Sequence, residues 1–162
     1  MNRLITSLLL FVLVTTAAAQ DKKDESTIQQ AVETKNFIFK ASSATPQRGR
    51  IRQLTSEYDL IVRPDTIISF LPYFGRAFTA PINPSEGGIK FTSTDFAYSI
   101  SKKKKSSWEI KITPKSVPDV TDLYLTVFDN GSASLRVSSI NRTPISFNGY
   151  VEEGKPIDKK AF

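Results

Sequence analysis

The groups of this chain that could carry acid–base or nucleophilic chemistry are carboxylates, lysines, tyrosines and arginines, because the sequence contains neither histidine nor cysteine. That absence excludes a Ser-His-Asp triad, a cysteine nucleophile and the usual zinc ligands. A pair of carboxylates could still hydrolyse a glycosidic bond. The acidic residues available in the predicted domain are Asp59, Asp65, Glu86, Asp95, Glu109, Asp119, Asp122 and Asp129.

No two of these carboxylates form a recognisable catalytic pair. Asp65 and Asp129 lie in predicted turns, where aspartate has a structural role, and Asp59 lies on the solvent face of a predicted strand. Asp119 and Asp122 have the chemistry to bind calcium, but acidic residues in a loop are usually just solvated. The sequence therefore predicts no catalytic residue, no metal site and no cofactor. A carboxylate-dependent hydrolase is an alternative.

The segment from Phe70 to Phe78 differs in composition from the rest of the chain. Four aromatic residues, a proline, a glycine and an arginine occur there within nine positions. Pro72 interrupts ladder pairing and Gly75 permits a bend, while tyrosine and arginine are favoured in recognition sites. The predicted ligand- or partner-binding residues are Tyr73, Phe74, Arg76 and Phe78. Alternatively, the aromatic side chains fill the core of a bulged corner, and the arginine pairs with a nearby acid.

Most of the chain alternates apolar and polar residues, which is the pattern of β-strands with one buried face. This pattern runs from Phe37 to Val151, after a short amphipathic segment that predicts a helix over 27–34. Asp129-Asn130-Gly131 predicts a hairpin turn. The expected fold is all-β, a mainly antiparallel sandwich or partly closed barrel of about eight to ten short strands, with one short N-terminal helix.

The run Lys102 to Lys105 lies between two predicted strands and is typical of a hairpin tip that keeps a sheet edge soluble. Contact with an anionic surface is the functional alternative. No aromatic residues interleave the lysines, so we predict no nucleic-acid partner. The net charge of +6 is modest and does not identify a partner.

The first nineteen residues have the features of a signal peptide. Arg3 precedes the apolar stretch Leu4 to Val14, and Ala17-Ala18-Ala19 is a small-residue cleavage site. The apolar stretch is shorter than the roughly 20 residues that a membrane-spanning helix needs. We therefore predict export to the periplasm or the exterior, with no membrane span after cleavage and no lipid attached through cysteine.

The predicted organisation is a signal peptide (1–19), a flexible leader (20–26), a β domain (27–151) and a polar tail (152–162). Without cysteine, the exported domain must be held together by its core alone. A core of sufficient size is feasible at this chain length.

Four motifs resemble those of one family of small exported proteins from Bacteroidetes-type bacteria, the domain of unknown function 4251 family. They are Leu71-Pro72-Tyr73-Phe74-Gly75-Arg76-Ala77, Gly87-Gly88-Ile89-Lys90-Phe91, Asn130-Gly131 and Ile145-Ser146-Phe147-Asn148-Gly149. The resemblance covers residues 27–151. It implies an exported all-β domain, and it brings no activity and no catalytic residues.

These observations favour a non-enzymatic binding module of the envelope. Its predicted partner is a small ligand or an envelope protein, and the module itself is predicted to be a monomer. A cavity of roughly 300–1,000 Å³ lined by aromatic residues would support this reading. An interaction protein that docks through an exposed sheet edge is a further alternative, beside the hydrolase.

Overall fold

The computed structural model describes residues 27–78, 87–103 and 106–154. The predicted signal peptide, the leader and residues 155–162 lie outside these ranges. The described residues contain one short helix, α1, over 27–33 and ten strands. The strands are β1 (Phe37–Pro46), β2 (Arg52–Gln53), β3 (Asp59–Val62), β4 (Ile67–Leu71), β5 (Ile89–Ser93), β6 (Phe96–Lys103), β7 (Ser107–Pro114), β8 (Val120–Phe128), β9 (Ser132–Ser139) and β10 (Ile145–Glu153). This arrangement confirms the predicted all-β fold with a short N-terminal helix.

The alternating pattern turns one face of the strands inward. In β1, Phe37 and Phe39 are buried, whereas Ile38 and Lys40 are partly exposed. The largest fully buried side chains are Trp108, Phe37, Phe39, Phe147, Leu60, Ile67, Leu71, Ile110, Ile112, Leu123, Leu125 and Leu135. Burial of this apolar area is the main force that stabilises the domain.

All ten strands belong to one sheet with the order β5-β4-β3-β1-β10-β9-β8-β7-β6, and the short β2 pairs with β1. Every neighbouring pair along this path is antiparallel, so the two edge strands β5 and β6 run in the same direction. They are also consecutive in the chain, separated only by Thr94 and Asp95. The sheet curls into a nearly closed barrel. Of the two predicted architectures, the protein therefore has the partly closed barrel and not the sandwich.

Buried apolar side chains fill the inside of the barrel, as in other small barrels. They come from both halves of the sheet and form one contiguous core. A ligand site must therefore lie at an end of the barrel or on its outer wall.

Helix α1 covers one end of the barrel. Its residues Ile28, Ala31 and Val32 are buried, and Ile28 packs beside Gly131 in the β8–β9 turn. The Tyr98 hydroxyl, on β6, donates a hydrogen bond of 2.7 Å to the carbonyl oxygen of Val32. This bond satisfies a carbonyl at the C-terminal end of the helix. Over the part of the chain that the structure describes, a membrane-crossing helix is absent.

The predicted hairpins are present. Asp129-Asn130-Gly131 joins β8 to β9, and Gly131 adopts the left-handed φ of 79° that the turn requires. Lys102 and Lys103 end β6 at the β6–β7 hairpin, whose tip, residues 104–105, lies outside the described residues. β10 continues to Glu153, two residues beyond the predicted domain boundary.

Candidate functional site

The compositionally distinct segment crosses the end of the barrel opposite α1. It leaves β4 at Pro72 and runs antiparallel to the β9–β10 connection. The Thr143 amide donates to the Arg76 carbonyl at 3.0 Å, and the Phe78 amide donates to the Asn141 carbonyl at 2.8 Å. Residues 72–78, here called the crossing segment, are thus fixed to the sheet like a short additional strand.

Tyr73 anchors the crossing segment from within. Its hydroxyl lies 2.9 Å from the carbonyl oxygens of Arg76 and Thr143, and 3.0 Å from the Thr143 hydroxyl. Gly75 is required beside it, since a Cβ there would collide with the Tyr73 hydroxyl and lie 2.8 Å from Thr143 Oγ1. The hydroxyl of Tyr73 therefore has its hydrogen-bond partners within the protein, and these contacts position Arg76 and Thr143.

Arg142 connects three parts of this end of the barrel. Its Nε pairs with Asp119 at 2.9 Å, and its Nη1 donates to the Gly88 carbonyl at 2.8 Å. The same guanidinium lies 5.3 Å from the centre of the Tyr73 ring. Arg142 is not among the predicted binding residues, because its partners Asp119 and Gly88 come from distant positions in the chain.

A cleft of about 520 Å³ lies beside the crossing segment. Its lining consists of Gln47, Arg48, Phe74, Gly75, Arg76, Phe78 and Thr143. Three of the four predicted binding residues are therefore brought together here, and Tyr73 is the one that does not line the cleft. Phe78 is 65% exposed, so its ring does not fill the core. We call this space the arginine cleft.

The arginine cleft is positively charged. Arg48 and Arg76 line it, and the guanidinium of Arg52 lies 4.8 Å from the centre of the Phe74 ring. None of the described residues that line the cleft is acidic, and the ion pairs among the described residues include neither Arg48 nor Arg76. The alternation Arg48-Gly49-Arg50-Ile51-Arg52 was the available sequence signal for this side of the cleft.

Comparison with known proteins assigns the chain to a family. A family model described as a domain of unknown function, DUF4251, matches residues 19–151.

The chain belongs to the DUF4251 family.

Its fold is also similar to the crystal structure of a DUF4251 family protein from Bacteroides eggerthii, with a TM-score of 0.61 and 14% identity over 83% of this chain and 91% of that chain. At this identity the likeness supports the fold alone. None of the curated proteins matches the chain.

A second, shallower groove lies on the outer wall of this DUF4251 domain, across β6, β7 and β8. It has a volume of about 390 Å³ and includes Lys111 and Tyr124 in its lining. Lys111 pairs with Asp122 at 3.1 Å, and the Thr113 hydroxyl donates to the same carboxylate at 2.6 Å. The hydrogen bond from Thr113 is the largest cause that lowers the pKa of Asp122, and the hydrogen bond and positive charge of Lys111 lower it further. These contacts hold Asp122 in a network on the wall of the sheet.

The surroundings of the other acidic side chains show which of them could act in a carboxylate-dependent hydrolase. Asp119 and Asp95 are in ion pairs with Arg142 and Lys115. Asp59 lines a cleft of about 240 Å³ with Glu57, and its pKa is raised chiefly by burial. Within the described ranges, no group of three or more acidic residues is placed to hold a metal ion.

Proposed function

We propose that this DUF4251 protein is an exported, non-enzymatic binding module that takes a small ligand, or a short segment of an envelope protein, in the arginine cleft. The supporting observation is that the crossing segment is held to the β9–β10 connection by Tyr73 and by backbone hydrogen bonds. Arg76 and Phe78 remain exposed on it, and the half-buried Phe74 lines the cleft beside them. Rigid support for exposed aromatic and arginine side chains is typical of recognition sites.

The size of the arginine cleft fits this role. Pockets that hold small ligands have volumes of roughly 300–1,000 Å³, and the arginine cleft measures about 520 Å³. Among the described residues, its lining offers no carboxylate for acid–base catalysis. The interior of the barrel is filled by the side chains of the core. Both features favour binding at this end of the barrel over chemistry inside it.

Native mass spectrometry of the protein purified from the envelope of its source cells tests the binding role. We expect an adduct on the wild-type protein and none on the variant Phe74→Ala/Phe78→Ala. The matched control is Phe128→Ala, which removes an exposed phenylalanine (42% exposed) from β8, away from the cleft. An adduct retained by the cleft variant would contradict the assignment of the site.

Export is supported by the arrangement of Arg3, Leu4 to Val14 and Ala17-Ala18-Ala19. N-terminal sequencing of the protein from fractionated cells tests it. We expect Gln20 as the first residue of a protein found outside the cytoplasm. A chain that still begins at Met1 in the cytoplasmic fraction would contradict export without affecting the cleft.

The carboxylate alternative rests on Asp59. A carboxyl group with a raised pKa beside a second carboxylate, Glu57, is a typical candidate for a general acid. If the domain hydrolyses a glycoside, Asp59→Asn abolishes that activity, whereas Asp95→Asn leaves it unchanged. We favour the binding role because the arginine cleft is the larger of the two and its lining includes the exposed side chains of Arg48, Arg76 and Phe78.

A further inference from the structure

Two cations in the arginine cleft have no counter-ion among the residues that the structure describes. Arg48 and Arg76 are exposed and line the same space, and neither takes part in the ion pairs found among the described residues. Elsewhere at this end of the barrel the guanidinium of Arg142 is matched by Asp119. A guanidinium offers a planar set of donors that suits carboxylate, sulfate and phosphate oxygens. The arrangement therefore favours an anionic group in the cleft.

The same cleft also offers an apolar surface. Phe78 is 65% exposed, and the half-buried Phe74 also belongs to the lining, with the Arg52 guanidinium 4.8 Å from its ring centre. An inorganic ion would leave this aromatic area in water, whereas a ligand with an apolar body would cover it. The lining thus combines anion-binding and apolar surfaces within about 520 Å³.

We propose that the ligand of the arginine cleft is a small organic anion, with a carboxylate, sulfonate, sulfate or phosphate head bound by Arg48 and Arg76 and an apolar body packed on Phe74 and Phe78. This proposal rests on the binding role proposed above and adds the ligand class. The amide of Arg76 already donates to Thr143 Oγ1 at 3.2 Å, so the anion is bound by guanidinium groups and not by that amide.

The test uses 8-anilinonaphthalene-1-sulfonate as the anionic probe and N-phenyl-1-naphthylamine, which lacks the sulfonate, as the neutral one. Fluorescence titration gives both affinities for the mature domain. We expect the sulfonate to bind about tenfold more tightly, since charge-assisted hydrogen bonds contribute on that order. Raising the salt concentration should weaken the binding of the sulfonate probe and leave that of the neutral probe unchanged, because exposed charges are screened.

The variant Arg48→Gln/Arg76→Gln should lose this preference for the anion and keep the affinity for the neutral probe. Arg136→Gln is the matched control, since Arg136 is an exposed arginine on β9 that does not line the cleft. Circular dichroism and thermal melting establish that each variant is folded. Equal sulfonate affinity in the wild type and the double arginine variant would overturn the proposal.

The phenylalanine variant separates this proposal from the proposed function. Suppose that Phe74→Ala/Phe78→Ala lowers the affinity for both probes and the arginine variant lowers neither. The cleft then binds ligands, but the proposed preference for an anion is wrong. If the phenylalanine variant leaves both affinities unchanged, or if the wild type binds neither probe, the binding role of the cleft fails as well. Loss of sulfonate affinity in both variants supports the two proposals together.

Discussion

At one end of the barrel, Ile28 and Val32 of α1 seal the core, whereas at the other end the crossing segment leaves a cleft between Arg48 and Arg76. The helix-covered end is closed by apolar burial. The cleft end is held together by hydrogen bonds of Tyr73 and by the ion pair between Arg142 and Asp119. A polar framework fixes the backbone without covering it, so the side chains between its anchors stay accessible to a ligand.

This difference separates the residues that stabilise the domain from those available for binding. At the helix-covered end, any change to a buried side chain alters the core. At the cleft end, we expect Tyr73 and Arg142 to stabilise the fold through their contacts, and the exposed Phe78 and Arg76 to contribute little to it. Substitutions at the two ends should therefore have different effects on unfolding and on probe binding.

Arg142→Ala should produce the largest loss of stability. It removes the ion pair with Asp119 and the hydrogen bond to Gly88, and it leaves a partly buried carboxylate without its partner. We expect the free energy of unfolding to fall by about 2–3 kcal/mol, measured by guanidinium chloride denaturation. Arg136→Ala, at an exposed position, should change it by less than about 0.5 kcal/mol. Equal effects of the two variants would contradict the anchoring role of Arg142.

Val32→Ala tests the helix-covered end. Val32 is fully buried, so removal of its methyl groups costs their burial and leaves a small cavity. The expected loss is about 2 kcal/mol in the free energy of unfolding. The sulfonate affinity should stay unchanged, because the cleft lies at the opposite end. The control is Glu33→Ala, an exposed neighbour on the same helix. A loss of probe binding in Val32→Ala would show that the two ends are not independent.

Tyr73→Phe tests whether the crossing segment is held from within. The change keeps the ring and deletes the hydroxyl that contacts Arg76 and Thr143. We expect a loss of about 1–2 kcal/mol in the free energy of unfolding, together with weaker probe binding as the segment loosens. If Tyr73→Phe is as stable as the wild type and binds less ligand, Tyr73 is a contact residue instead of an anchor.

Tyr98→Phe should make the helix-covered end less sensitive to alkaline pH. Burial raises the pKa of Tyr98, so between the unfolded and folded pKa values the folded state binds the proton more tightly. Wild-type stability should therefore fall as the pH rises above about 10, the unfolded value. At pH 7 the variant loses about 1 kcal/mol with the bond to Val32. Melting temperatures from pH 8 to about 11 check both effects, and parallel pH curves for the two proteins would refute the prediction.

Phe78→Ala should have the smallest effect on stability, less than about 0.5 kcal/mol, because the side chain is 65% exposed. It should nevertheless weaken binding of both fluorescent probes. Phe128→Ala is the matched control on the wall of the barrel and should change neither quantity. A large loss of stability in Phe78→Ala would place this ring in the core, as in the packing alternative for the segment.

Much of the fold follows from local sequence. The alternation from Phe37 onward predicts most of the buried side chains, although β6 has no buried residue and Ile100 is exposed. Asp129-Asn130-Gly131 predicts its hairpin because only certain residues tolerate its backbone geometry. The unusual composition of residues 70–78 predicted the segment that supplies Phe74, Arg76 and Phe78 to the cleft, whereas its binding role stays a prediction. Arg48, in contrast, lies in what the sequence shows only as a loop after β1, and nothing local indicates that it lines the same cleft as Arg76.

Local patterns determined the strands and the turns, because each depends on residues close together in the chain. The nearly closed barrel was decided by the tertiary structure, since it depends on how far the sheet curls to bring its edge strands β5 and β6 toward each other. Only the tertiary structure shows that Tyr73, unlike Phe74, Arg76 and Phe78, does not line the cleft. Its hydroxyl finds its partner at Thr143, seventy positions away, and no local pattern encodes a contact of that range.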